Sequence, residues 1–320
     1  MKYCLAPMEG LTDCVYRTVH HKIFGGVDRY YTPFLSPTEV HRLTPREVRE
    51  LDPANNPPCV VPQLLGKNAD DFLWMAGEIA ARGYAEINLN LGCPSGTVTA
   101  KKKGAGLLAD TDLLESFLDR VFSECPIDVS IKTRIGYQDT DELPEILEIY
   151  NKYPVKELTV HPRTGKEMYR GTPHLDAYAY VCENTNIPLC YNGNVSTRAD
   201  AAYIAERFPK TEAIMLGRGL LASPALLSDQ KITRALMMEF HRTLTDRYRA
   251  VLGDYATAGR MKEIWLLMSG TFEQDKKYLK RVQQAKNLTE LEGAVASMIC
   301  ELQIKPREVY DKRSDTLPNF

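Results

Sequence analysis

The chain has 320 residues, 44% of them apolar and 26% charged, with a formal net charge of -2. That balance excludes a disordered chain and leaves no whole-chain bias toward a polyanion or a membrane surface. No apolar run reaches the roughly 20 residues a membrane-spanning helix needs, and "MKYCLAPMEG", which carries Glu9, is not expected to act as a signal peptide. The eight cysteines lack the close-paired spacing of zinc or redox sites. They read as reduced thiols of a cytoplasmic protein, and no metal is expected.

Along the chain, short apolar runs alternate with longer amphipathic ones. "YCLAPM" precedes a helix near 12–23; "DRYYTPF" precedes a Pro-rich connection. "CVVPQLLG" leads into "NADDFLWMAGEIAARG", where Asn68 suits an N-cap, Asp70 and Asp71 the first turn and Gly83 the C-terminal end. "EINLNLG" precedes a helix near 110–124, "DVSIKTRIG" one near 141–151, and "ELTVHPRTG" one near 174–184. "IPLCYNGNV" precedes "TRADAAYIAERF", and "EAIMLGRGLL" closes the series. About eight Val-, Ile- and Leu-rich strands, each followed by a helix, predict a TIM (β/α)8 barrel over residues 1–230, with an open doubly wound sheet as the alternative.

From residue 231 the strand signal stops. Leu236, Met237, Phe240, Leu244, Tyr248 and Val251 share one helical face; Met261, Ile264, Trp265 and Met268 repeat the spacing, as do Leu291, Val295, Met298 and Ile299. Residues 231–320 are therefore expected to form a small all-helical bundle of three or four helices. They hold 16 Lys and Arg against 12 Asp and Glu, while residues 1–230 hold 24 against 30. A basic tail beside an acidic barrel hints at an anionic ligand along the tail. "KKYLKR" at 276–281, with Arg260 and Lys262, marks its basic surface.

A barrel carries its active site at the C-terminal ends of its strands. Those ends bear "APMEG", Gln63, then Asn88, Asn90 and Cys93, then Lys132 and Arg134, His161 and Arg163, Asn192–Gly193, and Gly217–Arg218. "YNGNV" and "LGRGLL" stand at the two strands whose loops often bind phosphate; singly they are a turn and a helix entry. Lys132 and Arg134 alternate with Ile131 and Ile135 and so share a face, which is costly without an anion. Electron-rich atoms of a reduced flavin would suit them, and Gln63 could bond the ring's edge. His161 alone would be a core histidine, but it stands beside Arg163. Cys93 follows Gly92 and precedes Pro94, past the end of the core. A nearby cation, such as one of Lys101–Lys103, favours its thiolate; a thiol there could equally act as a general acid, or simply fill space. Lys101–Lys103 reads either as a solvated loop or as a contact for phosphates of a large anionic substrate.

"APMEG" (6–10), "LNLGCPS" (89–95), "IKTRIG" (131–136), "VHPRT" (160–164), "YNGNV" (191–195), "MLGRG" (215–219) and the helical segment "GRMKEIWLLM" (259–268) resemble the tRNA-dihydrouridine synthase family, in its order and across nearly the whole chain. The resemblance implies an FMN-binding barrel, a C-terminal tRNA-binding helical bundle, and NADPH-driven reduction of particular tRNA uridines. It implies that Pro7, Met8 and Glu9 line the FMN. Gln63 and Lys132 would hold its ring, His161 lie beside it, and Asn192, Gly193, Asn194, Gly217 and Arg218 bind its phosphate end. Cys93 would be the general acid, and Asn90 and Arg134 would face the uracil. Pro162 departs from the family's frequent glycine, and the triple lysine is not a fixed family feature. A monomer is expected. The alternatives are a flavin barrel acting on a small pyrimidine, dihydroorotate dehydrogenase-like, and a non-catalytic RNA-binding protein on a barrel scaffold.

Overall fold

In the computed structural model of the chain, residues 1–273 and 276–305 are described. Nine parallel strand segments lie in the order β3-β2-β1-β9-β8-β7-β6-β5-β4. They are β1 (Lys2–Leu5), β2 (Arg29–Tyr31), β3 (Val60–Val61), β4 (Gln63–Leu64), β5 (Glu86–Leu91), β6 (Asp128–Arg134), β7 (Leu158–His161), β8 (Leu189–Tyr191) and β9 (Thr211–Leu216). The edge segments β3 and β4 are halves of one strand interrupted at Pro62, which has no N–H to give to the ladder. The Pro62 carbonyl still accepts from the Asn88 amide at 2.8 Å. Because the chain runs through Pro62 from one sheet edge to the other, the ring closes, and the nine segments fill eight strand positions, as expected for a TIM barrel.

Strand alternation divides the barrel wall. Leu5, Ile214 and Leu216 join the large core shared with the surrounding helices, while Cys4, Ala6, Tyr31, Val61, Cys190, Ala213 and Met215 form a separate inner cluster. The helix after β4 starts at its expected cap, where Asn68 Oδ1 accepts from the Asp71 amide at 3.0 Å, and the expected helix near 110–124 is capped by Asp110. Two helices go beyond the expected set, one of them the single turn Gly96–Thr99 after β5. The other, Pro45–Leu51, lies in the Pro-rich connection and begins with a reciprocal Thr44–Glu47 capping box.

The C-terminal region opens with helix Arg234–Met268, broken at Gly253, whose φ of 74° only glycine adopts readily. Trp265 Nε1 donates to His241 Nδ1 at 3.0 Å, and Arg260 lies 5.9 Å from the Tyr248 ring centroid. Both pairs are centred near residue 253, so the two halves form an antiparallel hairpin. Helices Lys276–Gln284 and Leu288–Glu301 complete four helices among the described residues. Of the expected apolar faces, Val251 is 38% exposed, because the helix ends at Gly253 before it can be covered. The stretch 306–320, assigned to the bundle from sequence, lies outside the described residues. The hairpin packs on helix Cys14–Ile23: Phe24 and Phe240 rings sit 4.9 Å apart, and Tyr248 Oη donates to Asp13 at 2.8 Å.

Candidate active site

Charge is treated oppositely at the two ends of the barrel. At the strand beginnings, Arg29 is neutralised by Glu157 at 3.1 Å, and the Tyr31 hydroxyl donates to the same carboxylate at 3.3 Å. At the strand C-termini, Lys132 and Arg134 share one face of β6, as the alternation predicts, and neither forms an ion pair with a described residue. Burial, then Arg134, lowers the Lys132 ammonium to about 8. Burial lowers Arg134 to about 10. A lysine held this way is pre-charged for an anion and costly without one.

An amide ladder crosses the floor of the site. Asn90 Nδ2 donates to Gln63 Oε1 at 2.8 Å, Gln63 Nε2 to Asn88 Oδ1 at 2.8 Å, and Asn88 Nδ2 to the Ser130 hydroxyl at 3.0 Å. These bonds fix each amide's orientation. Each amide group still has one N–H left, since it carries two.

Asn90 also shapes the loop after β5. Its Oδ1 accepts from the Gly92 and Cys93 amides at 3.0 and 2.9 Å. From the other side, Ala105 N donates to the Cys93 carbonyl at 3.0 Å. Gly104 sits at φ +57, and a Cβ there would come within 2.8 Å of the Cys93 carbonyl oxygen, so only glycine lets the loop close this tightly. The Cys93 thiol is pushed above its ordinary value by burial, which outweighs the lowering by the Ser95 amide, Arg134 and Lys132. Of the readings left open for this thiol, that direction favours the protonated form over the thiolate, and the cations that act on it are Arg134 and Lys132 rather than the lysine tripeptide.

Arg134 bridges three loops. Its Nε donates to the Gly92 carbonyl at 2.8 Å, and its Nη1 to the Thr164 and Met168 carbonyls, each at 2.7 Å. The two N–H groups of Nη2 remain for a ligand. At the end of β7, Arg163 Nη1 lies 2.9 Å from His161 Nε2. A guanidinium only donates, so this histidine nitrogen accepts, and the imidazole is neutral with its proton on Nδ1. Burial, then Arg134, Lys132, Arg163 and Arg218, holds His161 well below its ordinary range.

The ends of β8 and β9 meet as expected. Asn192 Nδ2 donates to the Met215 carbonyl at 2.8 Å, and Asn194, at φ 44, accepts from Arg163 Nη2 at 3.2 Å. Gly193 packs on the Tyr191 hydroxyl, and Gly217 on Ala6 and the Met8 sulfur beside Pro7. Arg218 lies 5.3 Å from the Tyr169 ring centroid and Arg134 5.5 Å from it. Tyr169, 48% exposed and on the loop after β7, is an addition to the expected residues; an aromatic in "KEMYRG" carries no signal until two arginines converge on it. Glu9 is the least gathered of the expected residues: it is exposed and ion-paired to Arg46 at 2.5 Å. Among the described residues no group of three His, Cys, Asp or Glu side chains could hold a metal ion. None of the described helices is long and apolar enough to cross a membrane.

The family model for dihydrouridine synthase (Dus) matches residues 4–308. The chain belongs to that family. It is 30% identical over 295 residues to a tRNA-dihydrouridine(16) synthase of Aquipseudomonas alcaligenes, covering 84% of this chain and 90% of that one. It is 29% identical over 226 residues to a probable tRNA-dihydrouridine synthase 1 of Synechocystis sp., covering 70% of this chain and 62% of the relative. Among solved structures, a morphinone reductase variant in complex with tetrahydroNAD shares the barrel fold, with a TM-score of 0.50 at 10% identity over 70% of this chain and 85% of that one.

Proposed function

We propose that this dihydrouridine synthase family member reduces uridines in tRNA to 5,6-dihydrouridine, using bound FMN and NADPH, with Cys93 as the general acid. The observation that carries the reading is geometric: Arg134 Nε donates to the Gly92 carbonyl at 2.8 Å and Asn90 Oδ1 accepts from the Cys93 amide at 2.9 Å, so the loop of the thiol is fixed against the strand-end cation at the mouth of the barrel. The site fits a flavin. Lys132, with no ion pair to a described residue, would supply charge for an electron-rich ring, and Gln63, fully buried in the amide ladder, would hold the ring's polar edge through the N–H that the ladder does not use. Asn192, Gly193, Asn194, Gly217 and Arg218 would hold the phosphate end, and Pro7, Met8 and Glu9 would line the flavin, Glu9 from the rim where it pairs with Arg46.

When bound, the flavin, recharged by NADPH, supplies hydride to carbon 6 of the uracil. The chain's own residues do the rest. Asn90 fixes the Cys93 amide, and so aims the thiol; Cys93 delivers its proton to carbon 5. Arg134, through Nη2, and Asn90, through its spare N–H, orient the base. His161, held neutral, adds no charge against a cationic wall. The target nucleotide must leave the RNA stack to enter. The barrel, 1–230, carries the chemistry, and 231–320 helps to bind tRNA. The protein acts as a cytoplasmic monomer.

The test is direct. Purified protein should show flavin absorbance, and with NADPH should place dihydrouridine in tRNA taken from a strain lacking it. Turnover of free dihydroorotate or uracil without turnover of tRNA would replace this reading with that of a small-pyrimidine enzyme.

A further inference from the structure

The lysine tripeptide takes no part in the chemistry above, yet it is braced against Cys93. Ala105 N bonds the Cys93 carbonyl, and Gly104 packs on the Cys93 backbone, so Lys103 is two residues from a fixed point on the loop of the acid. Lys102 adopts φ 51, an uncommon conformation for a lysine, and its ammonium turns back to Asp110 at 2.8 Å. Lys101 and Lys103 on either side take no part in that pair.

A third lysine joins them through the sheet. β4 pairs with β5 in the register Gln63↔Asn88 and Leu64↔Leu89, so the loops that follow, 65–68 and 92–104, leave the same rim side by side. Lys67 lies on the first. Burial lowers the Lys103 ammonium; the Asp71 carboxylate opposes this, and Lys101 and Lys67 add to it. Asp71 also bonds His41 Nε2 at 3.1 Å, and the His41 ring is stacked on Trp74 at 5.0 Å with planes 1° apart. The rim thus has a basic ledge with a stacked aromatic pair at its side.

We propose that Lys67, Lys101 and Lys103 grip the RNA backbone beside the nucleotide being reduced. The inference rests on the tRNA reading above. A ledge of like charges is unfavourable alone and favourable against closely spaced phosphates. Its anchoring to the Cys93 loop places it beside the thiol, where the phosphates flanking a nucleotide inserted into the mouth must pass. An acidic protein would meet the charges but would have no reason to sit over the mouth. The stacked His41–Trp74 pair suits a neighbouring base, which stacks on aromatic faces.

The test uses the flavin-loaded enzyme and intact tRNA. The triple variant Lys67→Gln, Lys101→Gln, Lys103→Gln should weaken tRNA binding on the order of 10- to 100-fold at moderate salt. The slope of log affinity against log salt should fall by roughly 0.7–0.9 for each phosphate that is no longer neutralised. Lys102→Gln, whose partner is Asp110, should leave both unchanged. Flavin content and NADPH-driven flavin reduction should survive in all variants. A triple variant with wild-type affinity and salt slope overturns the proposal while leaving the tRNA reading intact. A wild-type enzyme that neither binds nor reduces tRNA overturns that reading, and this inference with it.

Discussion

Asn90 Oδ1 accepts from the Cys93 amide at 2.9 Å while Asn90 Nδ2 donates to Gln63 at 2.8 Å. One amide thus joins the loop that carries the thiol to the floor of the flavin site. Asn90→Ala removes these bonds and the one from the Gly92 amide. Loss of tRNA-dependent turnover on the order of 10- to 100-fold is expected, with NADPH-driven flavin reduction within a few-fold of wild type. Equal loss in both half-reactions would place Asn90 with the cofactor and not with the acid.

Lys132 yields a pH prediction. Its fold-lowered value of about 8 lies below the ordinary 10.5, so between these values the unfolded chain binds more protons than the folded one. Stability of the flavin-free protein should therefore rise with pH across that window. Below about pH 8, charged Lys132 is a burden of at most a few kcal/mol, reduced by its residual exposure. Lys132→Met should raise the melting temperature of the flavin-free protein at pH 7 and abolish the rise, while weakening FMN retention at least about tenfold. A variant that melts lower than wild type would mean that Lys132 has a protein partner after all.

Gly104→Ala tests the brace behind the acid. A methyl group there meets the Cys93 carbonyl at 2.8 Å on a backbone of φ +57. A stability loss of about 1–3 kcal/mol is expected, along with slower uridine reduction at normal flavin content. Thermal melts and single-turnover oxidation of the reduced enzyme check both halves.

The basic surface of helix Lys276–Gln284 should matter to tRNA alone. Lys276→Glu with Lys280→Glu should weaken tRNA binding and reduce its salt dependence, with flavin content unaffected. Unchanged binding would move the RNA path away from this helix.

Much of the fold is legible in the sequence because its signals are local. Asn68, Asp110 and Thr197 cap helices whose starts the sequence marks, and each apolar run forms a strand. The division of the third strand at Pro62 is also marked by its proline, but the effect depends on β2 and β5 taking opposite halves, which no local pattern contains. Helix Pro45–Leu51 escapes the pattern although "TPRE" spells its capping box, because the prolines around it read as a connection. At the site, the residue types at the strand ends are readable; their protonation is not. Lysines that follow Cys93 in sequence point toward a thiolate, whereas burial of the folded loop pushes the thiol the other way. Tyr169 gains its meaning from Arg134 and Arg218, 35 and 49 residues away, which only the closed barrel brings together.

Cys93→Ala followed through the two half-reactions tests the central claim most directly. The thiol is small and stands at the rim, so folding and flavin content should be preserved. Reduction of the flavin by NADPH should proceed at the wild-type rate, since it needs no proton from the cysteine. Oxidation of the reduced flavin by tRNA, measured in a single turnover, should slow on the order of 10² to 10⁴-fold, the usual share of a general acid. Oxidation by tRNA at the wild-type rate would show that the proton comes from another group and would contradict the account.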